Sequence, residues 1–173
     1  MRHRMRRGKA LVTLLLALAL WLAAAGGTAE VPQVRDAFPD LSLRDVNGGS
    51  WTVSGLLASH DAVLIKLFVT WSPACSREMP AVQQVYEEYG GRVAVIAVGV
   101  DANESEDTLR DWANGMGLGF PVARGGEKWL AMARELQDVP VSLVVGRDGT
   151  LTALYVGAAG ADQLRSLVET ALY

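Results

Sequence analysis

The chain has 173 residues, half of them apolar, with 20% charged residues and a formal net charge of −3. The charge is unevenly placed: residues 1–29 hold five cations and no acid, so from residue 30 onward 11 cations face 19 acids and the balance falls to about −8. That balance excludes nucleic-acid binding, which depends on neutralising phosphates with Lys and Arg. With one histidine (His60) and one cysteine (Cys75) beyond the N-terminal stretch, no clustered metal site is expected either.

In chain order, the cations Arg2 to Lys9 precede an apolar run of 16 residues, Ala10–Ala25, and the small residues Gly27-Thr28-Ala29. This pattern predicts a secretory signal over residues 1–29. The run falls short of the ~20 apolar residues that a membrane span needs, so cleavage is expected, with retention as an uncleaved anchor the alternative. The chain is therefore expected to be exported to a periplasm and to meet the membrane only through this segment. An exported chain with a single cysteine cannot close an internal disulfide.

Residues 36–173 are expected to form one domain. Leu41–Arg44, the Asn47-Gly48-Gly49 turn and Trp51–Val53 read as a short hairpin. Ala62–Val69 and Val93–Val100 are nearly continuous apolar runs, as in strands buried on both faces of a helix-covered sheet. Between them Met79, Val82, Val85 and Tyr86 give Ser76–Tyr89 a helical spacing. Glu104–Met116 reads as a helix capped by Asn103, with Glu106 completing a capping box and Glu104, Glu106 and Asp107 making an ordinary acidic first turn. A helix at Glu127–Leu136 follows, then Val141–Val145 and Leu151–Val156 joined by an Asp148-Gly149 hairpin turn, then a helix at Ala161–Leu172. The order predicts an α/β fold: a central mixed β-sheet flanked by helices, with an N-terminal β-hairpin extension. Trp51, Trp112 and Trp129 read as packing residues, and His60, between Ser59 and Asp61, as a solvated loop residue.

Directly after the first long apolar run comes Thr70-Trp71-Ser72-Pro73-Ala74-Cys75-Ser76-Arg77-Glu78-Met79-Pro80. Here the sequence resembles the exported thioredoxin-fold proteins of the TlpA/ResA type, which carry W-C-x-x-C at this strand-to-helix junction. The likeness runs from Phe38 to Leu172 through FPDLSLRDVNGG, REMPAVQQVYEEYG, VAVIAVGVD and Val139-Pro140. It implies a thioredoxin-like fold, thiol–disulfide oxidoreductase activity with no bound cofactor, and protein clients bearing thiols or disulfides, or small thiols, as partners. It also places Pro140 where the superfamily has a cis-proline facing the active site. Trp71, Pro73, Val139 and Pro140 would then shape the client groove.

One departure decides the chemistry. Ser72 stands where the family has its first, exposed cysteine, and Cys75 corresponds to the second. A helix N-terminus can lower a cysteine's pKa from ~8.5 to between ~3.5 and ~7.5, but its ~0.5 charge cannot ionise a serine hydroxyl. Ser72 is therefore expected to cap the helix or to donate a hydrogen bond toward the Cys75 sulfur.

Three readings of Cys75 stay open. It could be a monothiol that forms mixed disulfides and waits for an external thiol to release them. It could attack peroxide, because Ser72-Pro73-Ala74-Cys75-Ser76-Arg77-Glu78 also resembles the peroxiredoxin T/S-x-x-C motif, with Arg77, Arg124 or Arg147 as the assisting arginine. Against this, Phe68 stands where peroxiredoxins carry a proline, and Val139-Pro140 is a feature that they usually lack. Or Cys75 is a small buried hydrophobe in a redox-inactive binding module. Glu78, which the resemblance places under the site as a proton carrier, is by position alone equally a surface acid of the first helical turn.

Overall fold

A computed structural model of the chain describes residues 31–173; the segment read as a secretory signal lies outside them. A small hairpin comes first, β1 (Ser42–Arg44) paired antiparallel with β2 (Ser50–Thr52). Its turn is organised by the Asp45 carboxylate, which accepts from the Asn47 and Gly49 N–H groups and the Trp51 indole. A five-residue helix α1 (Val53–Leu57) leads into β3 (Ala62–Phe68), α2 (Pro73–Tyr89), β4 (Val93–Gly99), α3 (Glu106–Met116), β5 (Val122–Arg124) and α4 (Glu127–Leu136). The hairpin of β6 (Val141–Gly146) and β7 (Leu151–Val156) and the helix α5 (Ala161–Glu169) complete the order.

The main sheet has five strands in the order β5-β4-β3-β6-β7. β3, β4 and β5 are mutually parallel, β6 runs against them, and β7, antiparallel to β6, runs in their direction again. The expected Asp-Gly turn closes the last hairpin, with the Gly149 N–H donating to the Gly146 carbonyl at 2.8 Å. Gly149 has φ +81°, a conformation that L side chains seldom adopt.

β3 alternates between two cores, as a strand's period of two requires. Val63, Ile65 and Leu67 enter one cluster, with Phe38, Leu43, Leu56 and Trp129. Ala62, Leu64 and Phe68 enter the other, with Cys75, Met79, Val82 and Val85 of α2. Lys66 shares the parity of Leu64 and Phe68, so the strand's one charge points under α2. Ser142, registered opposite Lys66 on β6, has the parity of Val144 and faces the same way.

Two stretches near the N-terminus run along the sheet's outer strands. Residues 35–37 bond to the start of β7, where Arg35 N–H donates to the Leu151 carbonyl and Leu151 N–H to that of Asp36. The β1–β2 turn reaches β5 through an Asp45–Ala123 bridge and a Val46 N–H to Val122 carbonyl bond.

Four local expectations change. α2 begins at Pro73 rather than Ser76, because Ser72 is the cap and proline suits the first helical position. β5 and α1, three and five residues long, are too short for periodicity to reveal. The cap of α3 is Ser105, whose hydroxyl accepts from Thr108 N–H at 3.1 Å, while Asn103 bonds to Asp101. Glu104 is thus a buried loop residue rather than part of an acidic first turn. His60 is half-buried, with Nδ1 2.9 Å from the Leu56 carbonyl oxygen and 3.0 Å from the Ser59 hydroxyl, rather than solvated.

Candidate functional site

The site forms where β3 ends and α2 begins. Ser72 has extended backbone, and its hydroxyl accepts the Cys75 N–H at 3.4 Å, a long N-cap bond. The serine thus takes the capping option, through the backbone of Cys75. Pro73 is exposed at the first position of the helix. Cys75 follows in the first turn and is 0% exposed.

Trp71 is the opposite case, 68% exposed, with its indole N–H donating to Asp101 Oδ2 at 2.8 Å. The Asn103 backbone N–H, and next the Trp71 indole, hold the Asp101 carboxyl below the usual carboxylate range. Thr70 is held from the same β4–α3 loop, its N–H at 2.9 Å and its hydroxyl both donating to Glu104 Oε1. Arg124 fixes that loop by donating to the Glu104 and Ala102 carbonyls. Trp71 and Val139 line one groove of about 450 Å³, together with Val69, Val100 and Leu130. The Val139-Pro140 peptide bond is cis, as the resemblance implied, and Pro140 is buried beside the groove residue Val139.

Glu78 lies one turn beyond Cys75 on the buried stripe of α2, at 3% exposure, which rules out the surface-acid alternative. Its Oε1 accepts from Lys66 Nζ at 2.8 Å and from Ala159 N–H at 2.9 Å, while Oε2 is buried without a partner. Lys66 Nζ also donates to Ser142 Oγ at 2.5 Å. Burial pushes the Lys66 ammonium below its usual value, outweighing the opposing pull of Glu78 and, more weakly, of Cys75. One node thus ties β3, α2, β6 and the segment before α5. Sequence reasoning missed Lys66, Ser142, Asp101 and Glu104; the available signal was a single charge inside the run Ala-Val-Leu-Ile-Lys-Leu-Phe-Val.

The three arginines considered for a peroxide site are not gathered there. Arg147 pairs with Asp61 at 2.8 Å, Arg124 is engaged with the loop carbonyls, and Arg77 is exposed near the start of α2.

Residues 34–154 match the model of the AhpC/TSA family. The chain belongs to the AhpC/TSA family. Among AhpC/TSA proteins it is of the TlpA/ResA-like kind. It is 28% identical over 120 residues to the thioredoxin-like protein YneN of Bacillus subtilis, covering 69% of each chain. It is 24% identical over 140 residues to the thiol-disulfide oxidoreductase ResA of Bacillus anthracis, covering 81% of this chain and 79% of that one. In fold it is similar to a putative thiol:disulfide interchange protein DsbE from Chlorobium tepidum, with a TM-score of 0.68 and 23% identity over 82% of this chain and 99% of that one. The mixed sheet, its helices and the N-terminal hairpin are therefore a thioredoxin-like fold, as expected.

Proposed function

We propose that this AhpC/TSA-family chain is a thiol–disulfide oxidoreductase relative that holds thiol- or disulfide-bearing polypeptides in the groove beside Trp71, Val139 and Pro140, without attacking them in its resting state. The observation that carries this reading is the contrast between Trp71, open to solvent, and Cys75, which has no exposed surface. Ser72, in the place of the attacking thiol, cannot supply a thiolate, and its oxygen accepts the Cys75 N–H. With one cysteine, the chain cannot itself release a mixed disulfide. The charged and apolar pattern of residues 1–29 supports export of the chain to a periplasm.

Monothiol exchange is the second reading. It is favoured by the place of Cys75 in the first turn of α2, since a helix N-terminus favours a thiolate. In it Cys75 is uncovered, its proton passes to the unpartnered Glu78 Oε2, and the thiolate attacks a client disulfide. A new Cys75–client disulfide forms, the other client sulfur leaves as thiolate, and an external thiol later breaks the adduct.

N-ethylmaleimide separates the two. Holding predicts no modification of native Cys75 over a period that fully modifies the urea-unfolded chain, with peptide binding retained in Cys75→Ala. Native labelling at a free-thiol rate refutes it in favour of exchange.

A further inference from the structure

Resting on the reading that the Trp71 groove takes a polypeptide, we infer that the segment it prefers is positively charged, carrying a Lys or Arg beside an apolar residue. The indole edge of Trp71 is bound to Asp101, while most of the residue's surface is open to solvent. An exposed indole face attracts an ammonium or guanidinium through its quadrupole. Two carboxylates line the same groove. Asp101 is kept ionised by its bonds to Asn103 and Trp71. Asp138 stands next to Val139, whose N–H it accepts at 2.8 Å. Among the described residues neither carboxylate is in a salt bridge, so neither is paired with a cation at contact distance. Arg134, from the last turn of α4, is a cation lining the same groove, and the two acids outnumber it.

The wider field has the same sign, because residues 31–173 carry 11 cations against 18 acids. A basic segment is steered in by that field. Its apolar neighbour packs on Val69, Val100, Leu130 and Val139, and its cation sits on the indole in the groove that both carboxylates line. Rim charges of this kind govern association rate and salt dependence more than the depth of binding.

The test uses the full chain and two short extended peptides, identical except for Lys or Glu flanking a central Val-Ser. Serine replaces cysteine so that no disulfide to Cys75 can form, and binding is read by calorimetry at low and high salt. At low salt the Lys peptide is expected to bind roughly fivefold tighter than the Glu peptide. The gap is expected to close in high salt and in D101N/D138N, whose amide oxygens still accept the Trp71 and Val139 N–H bonds, and to widen in R134Q. Equal binding of the two peptides, or a preference for Glu, overturns the inference. If the peptides bind equally and Trp71→Ala loses both, the charge preference falls while the groove reading stands; if neither binds the native chain, both fall.

Discussion

The Lys66–Glu78 pair sets up the sharpest energetic expectation. Both side chains are fully buried and 2.8 Å apart, a separation at which unit charges attract by about 6 kcal/mol at an effective dielectric of ~20. Desolvation of two ions costs several kcal/mol each, so the intact pair adds little net stability. Removing one partner is different. In Lys66→Met, Glu78 keeps only the Ala159 N–H as a donor, and the stranded buried charge is expected to cost about 3–5 kcal/mol. That is a large part of the ~5–15 kcal/mol typical of a domain. With a urea m-value of about 2 kcal/mol/M, the midpoint should fall by about 2 M. Lys66→Met/Glu78→Leu, which removes both charges, should recover most of the loss, so a double-mutant cycle followed by circular dichroism reports a large coupling. A single variant less than about 1 kcal/mol weaker than the native chain, or a double variant as weak as the single, would refute the assignment of a charged buried pair.

The same lysine makes stability depend on alkaline pH. Because burial lowers its folded value below 10.5, between that lowered value and 10.5 the unfolded chain binds more protons, and stability should rise with pH across the window. Tyr89, whose folded value is raised first by burial, acts oppositely above pH 10; the difference between the native chain and Lys66→Met isolates the Lys66 contribution. Ser72→Ala removes the N-cap of α2 and should cost about 0.5–1 kcal/mol in urea unfolding, the low end because the bond is 3.4 Å long; no loss at all would mean that the hydroxyl does not cap. Ser72→Cys places a thiol at the N-cap of α2, next to the exposed Trp71, and should confer reduction of insulin disulfides, with none expected of the native chain. A folded Ser72→Cys chain that reduces nothing would count against the groove as a client site.

The parts of the fold that the sequence announces are those whose pattern outlasts a single turn. The runs around Leu64 and Ile96, the Met79–Val82–Val85 spacing and the Asp148-Gly149 turn each point to the element that forms. Where two capping residues compete within three positions, as Asn103 and Ser105 do, local rules fit either; the long-range demand of Thr70 for the Glu104 carboxylate separates them only in three dimensions. Ser72, Cys75 and Glu78 are legible because they sit on one helix end. Lys66 and Ser142 are not, since their meaning lies in a register between strands 76 residues apart. Asp101 likewise acts on Trp71 across a gap of 30 residues.

The wrapping of residues 35–53 around the sheet bears on how the chain behaves in company. An unpaired outer strand is a template for another chain to add to, and here both sides are partly occupied from within: β7 at its start by residues 35–37, β5 by the β1–β2 turn. A version trimmed to begin at β3 would keep the residues of the β3–α2 junction and most of the core, yet bare backbone donors and acceptors on both outer strands. Such a product should oligomerise into β-rich aggregates, which makes the N-terminal wrap a solubility device as much as a packing element.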